Sequence, residues 1–107
     1  MTYLEGLVSK TSKMVERWHG RRADMLELTK SHATLSVVIL GEQYGKNLVI
    51  ACLSPQYICG PTSWSDSEIR IKVVRLAAGT EGVALIDEKN GVRITAESLE
   101  IKENVKV

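Results

Sequence analysis

The side chains best suited to nucleophilic or proton-transfer chemistry are His19, His32, Cys52 and Cys59. Their spacing does not join them into a signature. His19 follows Trp18 and precedes Gly20, where a helix end suits a histidine without any catalytic duty. His32 lies in Lys30-Ser31-His32, which reads as a turn. Cys52 sits in an apolar run and reads as a small core hydrophobe, whereas Cys59 falls in an irregular stretch where it can be exposed. Partners can meet in space rather than in sequence, so a small enzyme using Cys59 or His32 is the third of three functional expectations. No nucleophile elbow, phosphate loop, HExxH or glycine-rich dinucleotide fingerprint is present. Gly41-x-x-x-Gly45-Lys46 ends in Gly-Lys but lacks the glycine spacing and the following Ser or Thr of a phosphate loop. The acids Asp66, Glu68, Asp87 and Glu88 read as solvated loop or strand-end residues. A structural zinc site needs about four ligands in close pairs, and the two cysteines have no second pair. The expectation is therefore no catalytic residue, no metal and no cofactor.

Binding is the stronger theme. Residues 55–66 (PQYICGPTSWSD) hold both prolines of the chain and bring Tyr57, Cys59 and Trp64 together. Tyrosine and tryptophan offer rigid apolar area with a polar handle, and loops held by a rigid sheet are where binding residues concentrate. Tyr57, Trp64, Tyr44, Trp18 and Cys59 are the expected contact residues for an apolar or aromatic small molecule or a protein partner. The competing reading is a loop that folds its own aromatics back onto the sheet. The alternative function is a nucleic-acid or protein-interaction module that uses Lys10, Lys13, Arg17, Arg21 and Arg22, a basic helix flank interrupted by Glu16. Against nucleic acid stand a net charge of +1 and the lack of a helix-turn-helix or RNP-like motif.

The elements that must position these residues can be read from periodicity. Leu4, Leu7, Val8, Met14, Val15 and Trp18 recur at three- and four-residue steps and predict an amphipathic helix. Thr2-x-x-Glu5 has the form of a capping box at its start, and Gly20 is a natural stop. After Gly20 the rhythm turns to alternation. Strands are predicted at 24–29, 34–41, 47–54, 68–76, 83–87 and 92–95, with 98–102 a last strand or a short turn of helix. The runs at 34–41 and 47–54 are apolar on nearly every residue, which predicts cover on both faces: the helix on one, and the other wall of a curled sheet or another subunit on the second. Hairpin-length connections favour an antiparallel order.

The fold expected is α+β: an N-terminal helix packed on a strongly curved antiparallel sheet of about six strands, either a meander or a partly open barrel. One domain of 107 residues suffices, with 44% hydrophobic and 25% charged residues, and such a chain needs no metal or disulfide to fold. Two tryptophans, three tyrosines and no phenylalanine make the core aliphatic. No run approaches the 20 apolar residues of a membrane span, and no basic segment leads into an apolar one as in a secretory signal. A cytoplasmic homodimer or higher homo-oligomer is expected, since a second copy would cover the outer face of the doubly apolar strands.

Overall fold

The computed structural model describes residues 3–26, 34–41 and 46–105. The predicted helix forms as α1 (Tyr3–Glu16), followed by a turn to Gly20, whose φ is +87°. The capping-box residue Thr2 lies outside the described residues. The core-facing stripe of α1 runs Leu4, Leu7, Val8, Thr11, Met14 and Val15 and continues to Trp18, with Thr11 and Val15 buried and the others partly so. Thr11 fills the gap that the apolar pattern left at the middle of that stripe. It is fully buried, and its hydroxyl donates to the Leu7 carbonyl at 2.9 Å, which satisfies the polar atom within the helix itself.

Seven strands follow: β1 (Ala23–Leu26), β2 (Thr34–Ile39), β3 (Asn47–Cys59), β4 (Ser63–Trp64), β5 (Arg70–Arg75), β6 (Glu81–Asp87) and β7 (Val92–Val105). They form one sheet in the order β4-β1-β2-β3-β7-β6-β5, and every described pairing is antiparallel. The fold is thus α+β, with the N-terminal helix packed on an antiparallel sheet. The order is not a simple meander, because β4 crosses to the far edge beside β1 while β7 returns to pair with β3.

Two strands are longer than the sequence pattern implies. β3 continues past Pro55 to Cys59, so part of the irregular stretch is strand. A register shift between Pro55 and Tyr57 absorbs the proline, and Ser54 just before it has a φ of +51°. The described part of β2 reaches Leu53, and from Pro55 onward β3 pairs with β7 among the described residues. β7 runs unbroken from Val92 to Val105, yet its inward residues change phase: Val92, Ile94 and Ala96, then Leu99 and Ile101. Two alternations out of step read as two strands in sequence.

One face of the sheet forms the core. Ala23, Val37, Ile39, Leu48, Ile50, Cys52, Leu85, Ile94 and Leu99 all point to it. Burial in this apolar site pushes the Cys52 thiol up to about 12. The sheet edges β4 and β5 are not paired to each other. A flat sheet would hold β4 five strand spacings from β6, about 24 Å. Instead Trp64 Nε1 donates to Asp87 Oδ2 at 2.9 Å, so the sheet bends its edges toward one another. The C-terminal turn of the helix fills the gap. Gly20 N donates to the Ser67 carbonyl at 2.7 Å, and Ser67 N to the Arg21 carbonyl at 2.9 Å. His19 Nε2 donates to the Ile69 carbonyl at 2.8 Å and Ser12 Oγ to that of Ile71 at 3.2 Å. The helix therefore caps the free edge of β5 as well as covering the core. No helix among the described residues is long and apolar enough to cross a membrane.

Candidate functional site

In an antiparallel sheet, directly opposed residues show their side chains on the same face. Tyr57 opposes Thr95, which opposes Ala84, which opposes Lys72. Cys59 opposes Arg93, which opposes Ile86, which opposes Arg70. Between them the inward residues Ile94, Leu85 and Ile71 enter the core. These two rows therefore lie on the outer face of β3-β7-β6-β5.

The rows combine an aromatic ring with cations. Tyr57 is 52% exposed, and Cys59, Arg93, Arg70 and Lys72 are exposed as well. Ala84 and Ile86 are buried although they point outward, as expected where the aliphatic stems of flanking arginines and lysines lie over them. Neither row contains a carboxylate. Acids stand at the margins: Glu68 Oε1 lies 3.8 Å from Arg70, and Glu97 follows Ala96 on β7. The Cys59 sulfur, as a hydrogen-bond acceptor and as a charge when ionised, pushes the Tyr57 hydroxyl above its ordinary value, with Arg93 opposing. Tyr57 therefore remains a neutral phenol at physiological pH.

The five expected contact residues do not form one cluster. Tyr57 and Cys59 share the outer face. Trp64 points inward from β4 and is buried, its indole N–H held by Asp87. Trp18 is half-buried against the core, with the Arg21 guanidinium 5.3 Å above its ring. Tyr44 lies outside the described residues, as does His32. His19 is engaged by the Ile69 carbonyl, which can only accept, so its Nε2 carries the proton.

The basic helix flank is partly neutralised. Arg17 pairs with Glu103 at 2.7 Å, and Arg22 lies 3.4 Å from Asp24. Lys10 and Lys13 are exposed on the helix. Each pair is solvent-facing and worth at most about 1 kcal/mol, but each lowers the positive field that a phosphate would meet.

Two features escaped the sequence. Asp87, read as a solvated acid, is fully buried at the end of β6. Its carboxylate accepts from Trp64 Nε1, Glu68 N at 2.8 Å, Asn90 N at 3.2 Å and Asn90 Nδ2 at 3.0 Å. Nearby, Lys89 pairs with Asp66, which pushes the lysine above its ordinary value. The second feature is Arg93. Only its register opposite Cys59 and Ile86 reveals it as a neighbour of residues distant in sequence. The alternation Val92-Arg93-Ile94 marked it as outward but could not name its neighbours.

Two shallow, open depressions border this region. One, of about 500 Å³, is lined by Glu68, Arg70, Glu88 and Lys89. The other, of about 620 Å³, lies between the helix and β5, lined by Ser12, Glu16, His19 and residues 69–72. Neither is lined by an aromatic residue. Among the described residues no group of three or more His, Cys, Asp or Glu side chains is placed to hold a metal ion. No family model, no curated protein and no solved structure matches the chain.

Proposed function

We propose that the protein is a non-enzymatic binding domain whose contact surface is the outer face of β3-β7-β6-β5, and that this surface takes an anionic partner. The observation that carries this reading is the cross-strand register, which gathers Arg93, Arg70 and Lys72 beside exposed Tyr57 in two rows without a carboxylate. Arginine and lysine are phosphate and carboxylate binders, and the rigid sheet holds them in place without loop ordering. Of the expected contact residues, Tyr57 and Cys59 belong to this surface. Trp64 and Trp18 serve it indirectly, by fixing the bend and the helix that hold the sheet. Thermal denaturation with linear inorganic polyphosphate as the probe tests the proposal. A ligand at a hundred times its Kd stabilises by about 2.7 kcal/mol, a rise of several degrees in a domain this size. That rise is expected for the native protein and is lost in the combined Arg70→Ala, Lys72→Ala, Arg93→Ala variant. An equal rise in both proteins, or none in either, contradicts the proposal.

A second reading, self-association, is favoured by a different part of the outer face. There the row Asp24-Val38-Val49-Lys102 runs across β1, β2, β3 and β7, with Val49 half-buried and Val38 already buried within the chain. A two-fold axis along the strands between β2 and β3 would lay Val49 over Val38 of a second chain and Asp24 against its Lys102. Sedimentation equilibrium decides it. A dimer weakened by Val49→Asp supports the reading, and a monomer at about 100 μM, a concentration at which a specific dimer of micromolar Kd is mostly formed, excludes it.

A further inference from the structure

The spacing of the cations narrows the class of anionic partner. Arg93 and Arg70 stand two strand spacings apart, about 10 Å, and Arg70 and Lys72 about 7 Å apart along one strand. Three cations that converge on a point suit one phosphate. Three cations spread along a track suit a chain of phosphates. The floor between them, Ala84 and Ile86, is apolar and buried. Tyr57 stands at the end of this track, more than half exposed, so its ring is open to stacking. The core lies on the concave side of the bent sheet, so this face is convex. A stiff duplex touches a convex face over a short arc, whereas a flexible single strand can follow it.

We infer that the outer face binds single-stranded nucleic acid, with a base stacked on Tyr57 and backbone phosphates over Arg93, Arg70 and Lys72. This rests on the anionic-partner reading above and adds the bases to it. Stacking on an aromatic ring beside a basic track is the general chemistry of sequence-tolerant single-strand binding. Glu68, 3.8 Å from Arg70, Glu88 and Glu16, which line the depressions that Arg70 also lines, and Glu97 bound the track and repel a strand that strays from it.

Fluorescence anisotropy with two labelled probes tests the inference. One is an oligothymidine of about 15 nucleotides, and the other is an abasic deoxyribose-phosphate chain of equal length. At about 50 mM salt the oligothymidine binds more tightly than the abasic chain. Tyr57→Ala weakens oligothymidine binding by roughly 5- to 100-fold and leaves the abasic chain unaffected, while Tyr57→Phe retains binding. The slope of log K against log salt is about −2 for three phosphate contacts, and Arg93→Ala or Lys72→Ala each flattens it by about 0.7. Equal affinity for the two probes with no effect of Tyr57→Ala overturns the inference while the anionic-partner reading stands. Failure of both probes to bind overturns both.

Discussion

Trp64 and Asp87 sit on strands that are first and sixth in a seven-stranded sheet, yet the indole nitrogen donates to the carboxylate at 2.9 Å. That bond makes β4 a clasp. It holds the edge strand over the end of β6, and the same carboxylate anchors the chain at Glu68 and the short turn at Asn90. The outer face of β3-β7-β6-β5 inherits its curvature from this contact.

Removing the acceptor strands one buried donor, Trp64 Nε1, and three part-buried ones from Glu68 and Asn90. Asp87→Ala is expected to destabilise by about 3 kcal/mol or more, because each orphaned buried group costs about 1–3 kcal/mol. Trp64→Phe removes one donor and keeps most of the ring, so its cost is smaller, about 1–2 kcal/mol. Urea denaturation followed by far-ultraviolet circular dichroism measures both. An unfolding midpoint for Asp87→Ala equal to the native one refutes the clasp.

The two cysteines are expected to behave differently. Cys59 is exposed and Cys52 is buried with its thiol pushed up to about 12. Native protein should consume one equivalent of Ellman's reagent quickly, and a second only in denaturant. The sign of the pH dependence follows from the raised value. A thiol that ionises near 9 when unfolded and near 12 when folded adds stability that is full below 9 and is lost as pH rises toward 12. Between pH 8 and 10.5 the native protein should therefore lose about 2 kcal/mol that Cys52→Ala does not lose. Parallel pH profiles for the two proteins exclude the effect.

Gly82 sits on β6 where a Cβ would lie 2.4 Å from the Ala96 carbonyl oxygen and 2.7 Å from the Leu76 side chain. Backbone cannot yield as a flexible side chain does. Gly82→Ala should cost about 1–3 kcal/mol through overpacking, whereas Gly79, with open space around it, carries a positive φ and is strained by substitution for a different reason. Thermal denaturation of Gly82→Ala checks this, and an unchanged Tm contradicts the close approach of β6 and β7.

Local pattern made much of the fold legible. The helix, the strands around 34–39 and 47–53, and the outward direction of Arg70 and Lys72 all follow from periodicity. What escaped notice depends on partners remote in the chain. Pro55 suggested that β3 ends at Ser54, because nothing local says that β7 pairs with Pro55 and with Tyr57 to Cys59 across a register shift. β7 read as two strands because its inward phase slips between Ala96 and Leu99. Trp64 reads locally either as a contact residue or as an aromatic folded back onto the sheet, and a carboxylate 23 residues later holds it buried. Likewise Tyr57 and Cys59 were visible as candidates, while Arg93, Arg70 and Lys72 join them only through register. Net charge conceals such a face, since cations gathered by pairing weigh no more in the sum than scattered ones.

The most direct test of the central claim maps the contact surface residue by residue. A ¹⁵N–¹H correlation titration of the full chain with unlabelled oligothymidine serves this purpose. Amide shifts should concentrate at Tyr57, Cys59, Arg93, Thr95, Arg70 and Lys72. Shifts confined to Lys10, Lys13 and Arg17, or to the depression between α1 and β5, would contradict the outer sheet face as the binding surface.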